Sequence, residues 1–317
     1  MTPVMQRAQN RLQAIDGLLL LNKPQDLTSN QALQRVKRLL RARKAGHTGT
    51  LDPAATGMLP LCFGEATKVC AFLLDADKTY RVSARLGTAT DTGDATGVET
   101  AEAAVPTLSS DEWSEILLQF RGESMQVPPM YSALKKDGKR LYELARKGQV
   151  VEREARPIRI HEIYLLEIAA SRLVFRVRCS KGMYVRTLVE DIALAAGTVA
   201  HTAQLHRETV GDFRADEMLD LQRVEAVAAE GPDALRELLL PPDRALARLP
   251  EVRLESAAGF RFCGGQVVAS SPAGVAGLCR VYGSGGRFLG VGERDNDGRL
   301  APRRVFAVPD SPSQERL

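Results

Sequence analysis

AGHTGTLDPAATGMLPLCFGEATK, residues 45–68, is the stretch around which the rest of the chain is organised. Gly46, Gly49, Gly57 and Gly64 surround one carboxylate, Asp52, and glycine is used where backbone takes positive φ or passes close to a ligand. Pro53 fixes its own φ and drives Asp52 out of the α region, so the carboxylate sits in an extended or turn segment with its direction set by the chain. Two readings are open. An Asp-Pro turn capping the next helix is the plain one. A functional site is the other, because His47, Thr48, Thr50 and Thr56 add a ring and three hydroxyls to the same loop. The chain has no G-x-x-x-x-G-K-[ST], no G-x-G-x-x-G after a strand and no clustered Cys, His and carboxylate set, so P-loop, dinucleotide and zinc readings fail. A covalent or acid/base role remains for Asp52. Arg186 is its candidate partner, since a guanidinium pairs with a carboxylate in a fixed fork geometry.

The 317 residues, 44% apolar and 26% charged, suit a soluble globular chain of two domains. A net charge of +4 is too small to argue for a polyanionic partner, so local clustering must decide. Cys62, Cys70, Cys179, Cys263 and Cys279 include no C-x-x-C pair, and their odd number does not suit a disulfide framework. With no apolar h-region at the start and no membrane-length apolar run, the expectation is a soluble cytoplasmic protein without membrane contact.

Strand and helix signals alternate around the loop. Residues 15–21 are an apolar run broken by Lys23-Pro24, a buried strand entering a turn. Thr28 with Gln31 predicts a capping box, opening a helix with Leu33, Val36 and Leu40 at helical spacing. Arg35, Lys37, Arg38, Arg41, Arg43 and Lys44 have no acidic residue among them in residues 34–44. That helix presents either a solvated face or, beside the glycine loop, a phosphate-backbone contact. Residues 78–87 alternate, with Tyr80, Val82, Ala84 and Leu86 on one side, predicting a half-exposed strand. Residues 88–97 read as a polar turn region, and 108–120 as a helix capped by Ser109 or Ser110. Residues 126–148 carry Lys135, Lys136, Lys139, Arg140, Arg146 and Lys147 interleaved with Tyr131 and Tyr142, which reads equally as a nucleic-acid surface or as packing. Residues 156–168 and 173–180 read as strands, followed by a glycine turn that delivers Tyr184 and Arg186 just before a helix closed by Gly197. Residues 200–213 read as a further turn region whose His201 and His206 lack any metal pattern. Prolines mark 231–250 as a boundary or linker, and the glycine-punctuated strands from Glu251 onward, with Asp297-Gly298 as a hairpin turn, predict a small β-barrel.

The loop motif with LNKP upstream, the KTYRV strand, QVPPMYSALKKDGKRLYELARKG, REARPI and CSKGMYVRT, in that order, resemble the TruB family of bacterial tRNA pseudouridine synthases, which isomerise the T-loop uridine at tRNA position 55. The resemblance implies an α/β (α+β) mixed-sheet catalytic domain over residues 15–250, with residues 126–148 as an RNA-gripping insert, and a PUA-like RNA-binding β-barrel over 251–317. Residues 1–14 have no counterpart in it, and the expectation for them is a flexible N-terminal extension. It further implies that Asp52 is catalytic, that Tyr80 stacks on the target base, that Tyr184 and Leu205 line the uracil pocket, that His47 helps open the T loop, and that Arg186 and Lys23 support them. No metal and no organic cofactor is expected, because the isomerisation is redox-neutral and the leaving group is also the incoming nucleophile. The expected partner is the tRNA T arm, bound by a monomer with no protein partner. A guide-RNA-directed relative and an RNA chaperone or binding protein for tRNA folding are the competing functions. A nucleoside hydrolase or glycosylase would ordinarily want a second carboxylate aimed at water.

Overall fold

Leu18, Leu19, Leu20 and Leu21 are all buried because the strand that carries them has no wet face. Leu19 and Leu21 enter one core and Leu18 and Leu20 another, on opposite sides of the sheet. The computed structural model describes residues 12–136, 138–270 and 274–306. Its main sheet is built from β1 (Gly17–Lys23), β2 (Ala45–His47), β3 (Thr56–Phe63), β4 (Lys78–Leu86), β5 (Gly122–Gln126), β6 (Arg156–Ala169), β7 (Arg172–Cys179), β8 (Ala200–Val210) and β9 (Leu219–Asp220). The order is β9-β1-β3-β8-β4-β7-β6-β5, with β2 also paired to β3. The sheet is mixed, since β1 with β9 and β3 with β8 are parallel and the other pairs antiparallel.

Helix α1 (Ser29–Leu40) starts at the expected capping box: Thr28 Oγ1 accepts from Gln31 N, and the Gln31 side chain accepts from Thr28 N. Leu33, Val36 and Leu40 pack it against β1 and β3, each burial contributing about 1.5–3 kcal/mol. On the other half of the sheet α3 (Ser110–Leu118), capped by Ser109, and α5 (Val185–Ala195) cover Val82, Phe175 and Val177 with Trp113, Val189 and Ile192. The remaining helices are α2 (Cys70–Asp75), α4 (Leu141–Ala145), α6 (Leu221–Glu230), α7 (Pro232–Glu237) and α8 (Ser256–Cys263).

Three expectations need correction. Residues 200–213 are no turn region: 200–210 form β8, central in the sheet between β3 and β4. Its polar residues hide the strand because part of it lines a site instead of a core, and its register slips twice, between Thr202 and Gln204 and between Arg207 and Thr209. Residues 231–250 are packed, not a loose linker. Leu235 and Leu246 are buried and Leu240 exchanges backbone hydrogen bonds with Leu18, with Pro232 at the first turn of α7, where a missing N–H is harmless. Residues 88–97 are more than a turn, because Thr88–Thr90 pairs with Glu99–Glu102 in a ribbon.

A second sheet begins at Glu251, with β10 (Glu251–Arg253), β11 (Val268–Ala269), β12 (Gly277–Tyr282), β13 (Phe288–Arg294) and β14 (Arg299–Val305) in the order β10-β12-β13-β14-β11. It is a curled half-barrel with α8 against it, so the α/β mixed sheet plus small β unit read from the sequence is the architecture found. Asp297-Gly298 makes the expected tight turn between β13 and β14, with Asp295 accepting from Asp297 N and Arg299 N. Val291 and Phe306 of this unit share one core with Leu18, Met58 and Val210 of the main sheet, and Lys68 Nζ reaches across to Val305 O at 2.6 Å. Of the extension expected at residues 1–14, residues 1–11 lie outside the described residues, while Gln13 bonds through its backbone to Arg41 and Arg43. Residues 307–317 lie outside them as well.

Candidate active site

The Asp52 loop is fixed at nearly every residue by backbone bonds, which is what a directed carboxylate needs. Thr48 N donates to Pro60 O, and Ser29 Oγ both accepts from Leu51 N at 2.8 Å and donates to Leu51 O. Ala55 N donates to Asp52 O at 3.1 Å, closing the Asp-Pro turn, which runs into β3 and caps no helix. Pro53 O accepts from Asp26 N and from Lys23 Nζ. Lys23 is fully buried, and its other two bonds go to Pro24 O and Leu27 O. Burial pushes its ammonium down to about 8, against the opposing pull of Asp52 and Asp26.

Arg186 lies in the first turn of α5, one step inside the helix and not before it, with Tyr184 as the N-cap. Its Nε stands 3.1 Å from Asp52 Oδ2. The rest of its fork is spoken for: Nη1 donates to Thr92 O and Nη2 to Tyr131 O, both at 2.7 Å, with Asp94 Oδ2 at 3.9 Å. Arg186 is therefore locked while 40% of the Asp52 side chain stays accessible, the asymmetry expected of a group presented to a ligand by a rigid holder. Crowding of Asp52 by protein atoms raises its pKa. Arg186 opposes this, Asp94 adds to it and Lys23 opposes it.

Tyr80 on β4 stands opposite Arg207 of β8, and Leu205 stands opposite Val82, so all four share a face of the sheet. Tyr80 and Leu205 are half-buried against the core that α5 covers. Desolvation raises the Tyr80 phenol, Arg207 lowers it and Asp52 raises it. Desolvation also raises Tyr184, and Asp52 is again among its neighbouring charges. The Gln126 side chain clamps the backbone of Tyr184, accepting from its N at 2.8 Å and donating to its O at 3.1 Å. His47 ends β2 with Nδ1 buried and without a hydrogen-bond partner among the described residues, and burial followed by Arg207 lowers its pKa. The structure thus brings Asp52 and Arg186 into contact, places Lys23 beneath the same loop and sets Tyr80 and Tyr184 within reach of the Asp52 charge, with Leu205 on the same sheet face as Tyr80. His47 sits at the loop's far end.

Sequence reasoning missed Asp94, Gln126 and Arg207. Arg207 donates from Nε to Met58 O and from Nη2 to Gly49 O, and a DP turn flanked by glycines was the only pointer to something large beneath the loop. The basic helix face is also less free than its composition suggests, since Arg35 pairs with Glu225 of α6. In residues 126–148, Lys135–Lys136 pairs with Lys139–Arg140 in an exposed ribbon, and Arg140 and Arg146 lie over the Tyr142 ring at 5.8 and 5.5 Å. Among the described residues, no three His, Cys, Asp or Glu side chains are grouped to hold a metal ion. A cavity of ≈ 570 Å³ beside the loop is walled by Lys23, Thr56 and His206, with His206 Nδ1 2.8 Å from Thr56 Oγ1. A smaller one of ≈ 210 Å³ lies between Phe72 and Phe213, and neither cavity is lined by Asp52.

This architecture is that of pseudouridine synthases. The matched chain of a Cbf5-Nop10-Gar1 complex superposes with a TM-score of 0.71 at 24% identity, over 96% of this chain and 88% of that one. A chain of an H/ACA RNP bound to a substrate RNA containing 2'-deoxyuridine matches equally well, with a TM-score of 0.71 at 22% identity over 97% and 88%. Family descriptions match in succession: "TruB family pseudouridylate synthase (N terminal domain)" over residues 37–185, "tRNA pseudouridylate synthase B C-terminal domain" over 186–247 and "Pseudouridine synthase II TruB, C-terminal" over 250–306. The tRNA pseudouridine synthase B of Pseudomonas aeruginosa is 50% identical over 92% of this chain and 96% of that relative. That of Sodalis glossinidius is 49% identical over 96% and 99%. The chain belongs to the TruB family of pseudouridine synthases. Among its described residues no helix is long and apolar enough to cross a membrane.

Proposed function

We propose that this chain isomerises uridine to pseudouridine at position 55 in the T loop of tRNA, acting in the cytoplasm as a monomer without guide RNA or protein subunit. The observation that carries the reading is the accessible Asp52 carboxylate held 3.1 Å from a locked Arg186 on a loop with little freedom to move. Exchanging the N-glycosidic for a C-glycosidic bond requires the uracil to rotate while captive, so the base must leave the stack, at a cost of a few kcal/mol. Stacking on the Tyr80 ring returns about 1–3 kcal/mol, with Tyr184 and Leu205 as the other walls of the uracil pocket. Asp52 acts at the reacting nucleotide as nucleophile or base. Arg186 favours its ionised form and fixes its direction. Lys23 holds the loop through Pro53 O, and His47 helps open the T loop. The Lys135–Lys136 ribbon and the half-barrel grip the folded tRNA through its phosphates and shape. Residues 15–250 are the catalytic domain in this reading and 251–317 the PUA-like domain.

The test is incubation of purified protein with unmodified tRNA transcript and no cofactor, followed by nucleoside analysis and mapping of the changed position. Pseudouridine at the T-loop position supports the reading. An unchanged transcript, under conditions where binding is measured, contradicts it and favours a chaperone or a guided enzyme.

A further inference from the structure

Arg207 is among the largest fully buried side chains of the protein, and no ion pair joins it to a carboxylate among the described residues. Its partners are neutral. Nε donates to Met58 O at 2.7 Å and Nη2 to Gly49 O at 2.9 Å, and the Tyr80 phenol, which the Arg207 charge lowers against its desolvation, stands opposite on the neighbouring strand. A buried cation without a counter-ion is expensive to hold, and well-packed apolar residues stabilise such a position at least as well. Stability alone therefore explains its presence poorly.

The loop is shaped to admit it. A Cβ on Gly49 would stand 3.2 Å from Arg207 Nη1, and one on Gly57 would stand 2.3 Å from Arg207 O. Gly49 thus leaves close room for the guanidinium itself, and Gly57 lets the loop's downstream end lie directly on the backbone of Arg207. The bond to Gly49 O fixes the loop upstream of Asp52 and the bond to Met58 O fixes it downstream, while the pairing of β4 with β8 sets Tyr80 directly opposite Arg207.

We propose that Arg207 is a positioning residue for the isomerisation: it sets the height of the Asp52 loop over the sheet and aligns that loop with the Tyr80 ring on which the flipped base stacks. The proposal rests on the reading of Asp52 and Tyr80 given above. Arg207 does not touch the substrate. It transmits geometry between two groups that do, and a misplacement of about 1 Å in such a pair slows chemistry by about 100-fold.

The experiment compares Arg207→Gln and Arg207→Lys with the unaltered protein in single-turnover pseudouridine formation at saturating enzyme, alongside the tRNA dissociation constant and thermal melting. The proposal expects R207Q to lose about 100-fold in single-turnover rate with tRNA affinity unchanged and the fold intact. R207K, which keeps the charge but cannot span two carbonyls as a fork, should fall between the two. R207Q turning over at the unaltered rate overturns it. So does a fall in rate that tracks lost affinity or melting temperature, with R207K no better than R207Q. If R207Q does not fold, R207K carries the test, and loss of the folded state in both assigns Arg207 to stability and rejects the proposal. Failure of the underlying reading is distinguishable, because it appears as turnover by Asp52→Asn, whatever Arg207 does.

Discussion

Gly57→Ala should damage both the fold and the site, and the structure supplies the magnitude. Gly57 has φ +100°, outside the range that L residues favour, and forcing such a residue toward the left-handed side costs about 1–2 kcal/mol. The new Cβ would lie 2.3, 2.7 and 2.9 Å from Arg207 O, N and C. Those atoms belong to a strand paired on both sides, to β3 and to β4, so they have little room to yield. Overpacking of this kind adds about 1–3 kcal/mol, for a total of roughly 2–5 kcal/mol out of the 5–15 kcal/mol that domains typically hold. Gly197→Ala is the control: φ is +77° and nothing lies within 4 Å, so only the backbone term of about 1–2 kcal/mol applies. Urea unfolding of both variants measures the difference, and single-turnover assays should show G57A slowed by about 100-fold because the Asp52 loop shifts. A G57A protein as stable as G197A, or one that turns over normally, would refute the packing argument.

Two further outcomes follow from the same geometry. Arg186→Gln removes the stronger of the two cations that lower the Asp52 pKa, Lys23 being the other, while burial and Asp94 still raise it, so the acid limb of the pH–rate profile should move to higher pH. An unmoved limb would mean that Asp52 ionisation does not govern the rate. Gln126→Ala removes the acceptor of Tyr184 N and leaves that donor unmet at about 1–3 kcal/mol, while Tyr184 O keeps its bond from Leu188 N. The measurements are melting temperature and kcat, and both should fall.

How much was legible depended on what each strand faces. Residues 78–86 announced β4 because Arg81 and Arg85 point to water while Val82, Ala84 and Leu86 do not, and α1 announced itself through a cap chemistry that works locally. β8 did not, because Gln204, His206 and Arg207 interrupt any apolar alternation. A strand that lines a site carries the residues its chemistry needs, and these look like a loop. The loop around Asp52 was readable from Pro53 and its glycines, and Arg186 as its partner from charge alone. Asp94, Gln126 and Arg207 were not readable, since each acts on a residue 58 or more positions away, through contacts that only the sheet order creates. The prolines of 231–250 punctuated short packed helices as readily as a linker, and spacing alone does not separate the two.

If the Asp52 carboxylate performs the glycosidic exchange while other groups bind the RNA, chemistry and binding must come apart when its charge is removed. Asp52→Asn keeps the side chain's size and removes its charge, so nucleoside analysis of tRNA transcript after incubation with the folded variant measures that claim most directly. The expected result is tRNA bound as tightly as by the unaltered protein with no pseudouridine formed; pseudouridine accumulating at the normal rate would contradict it.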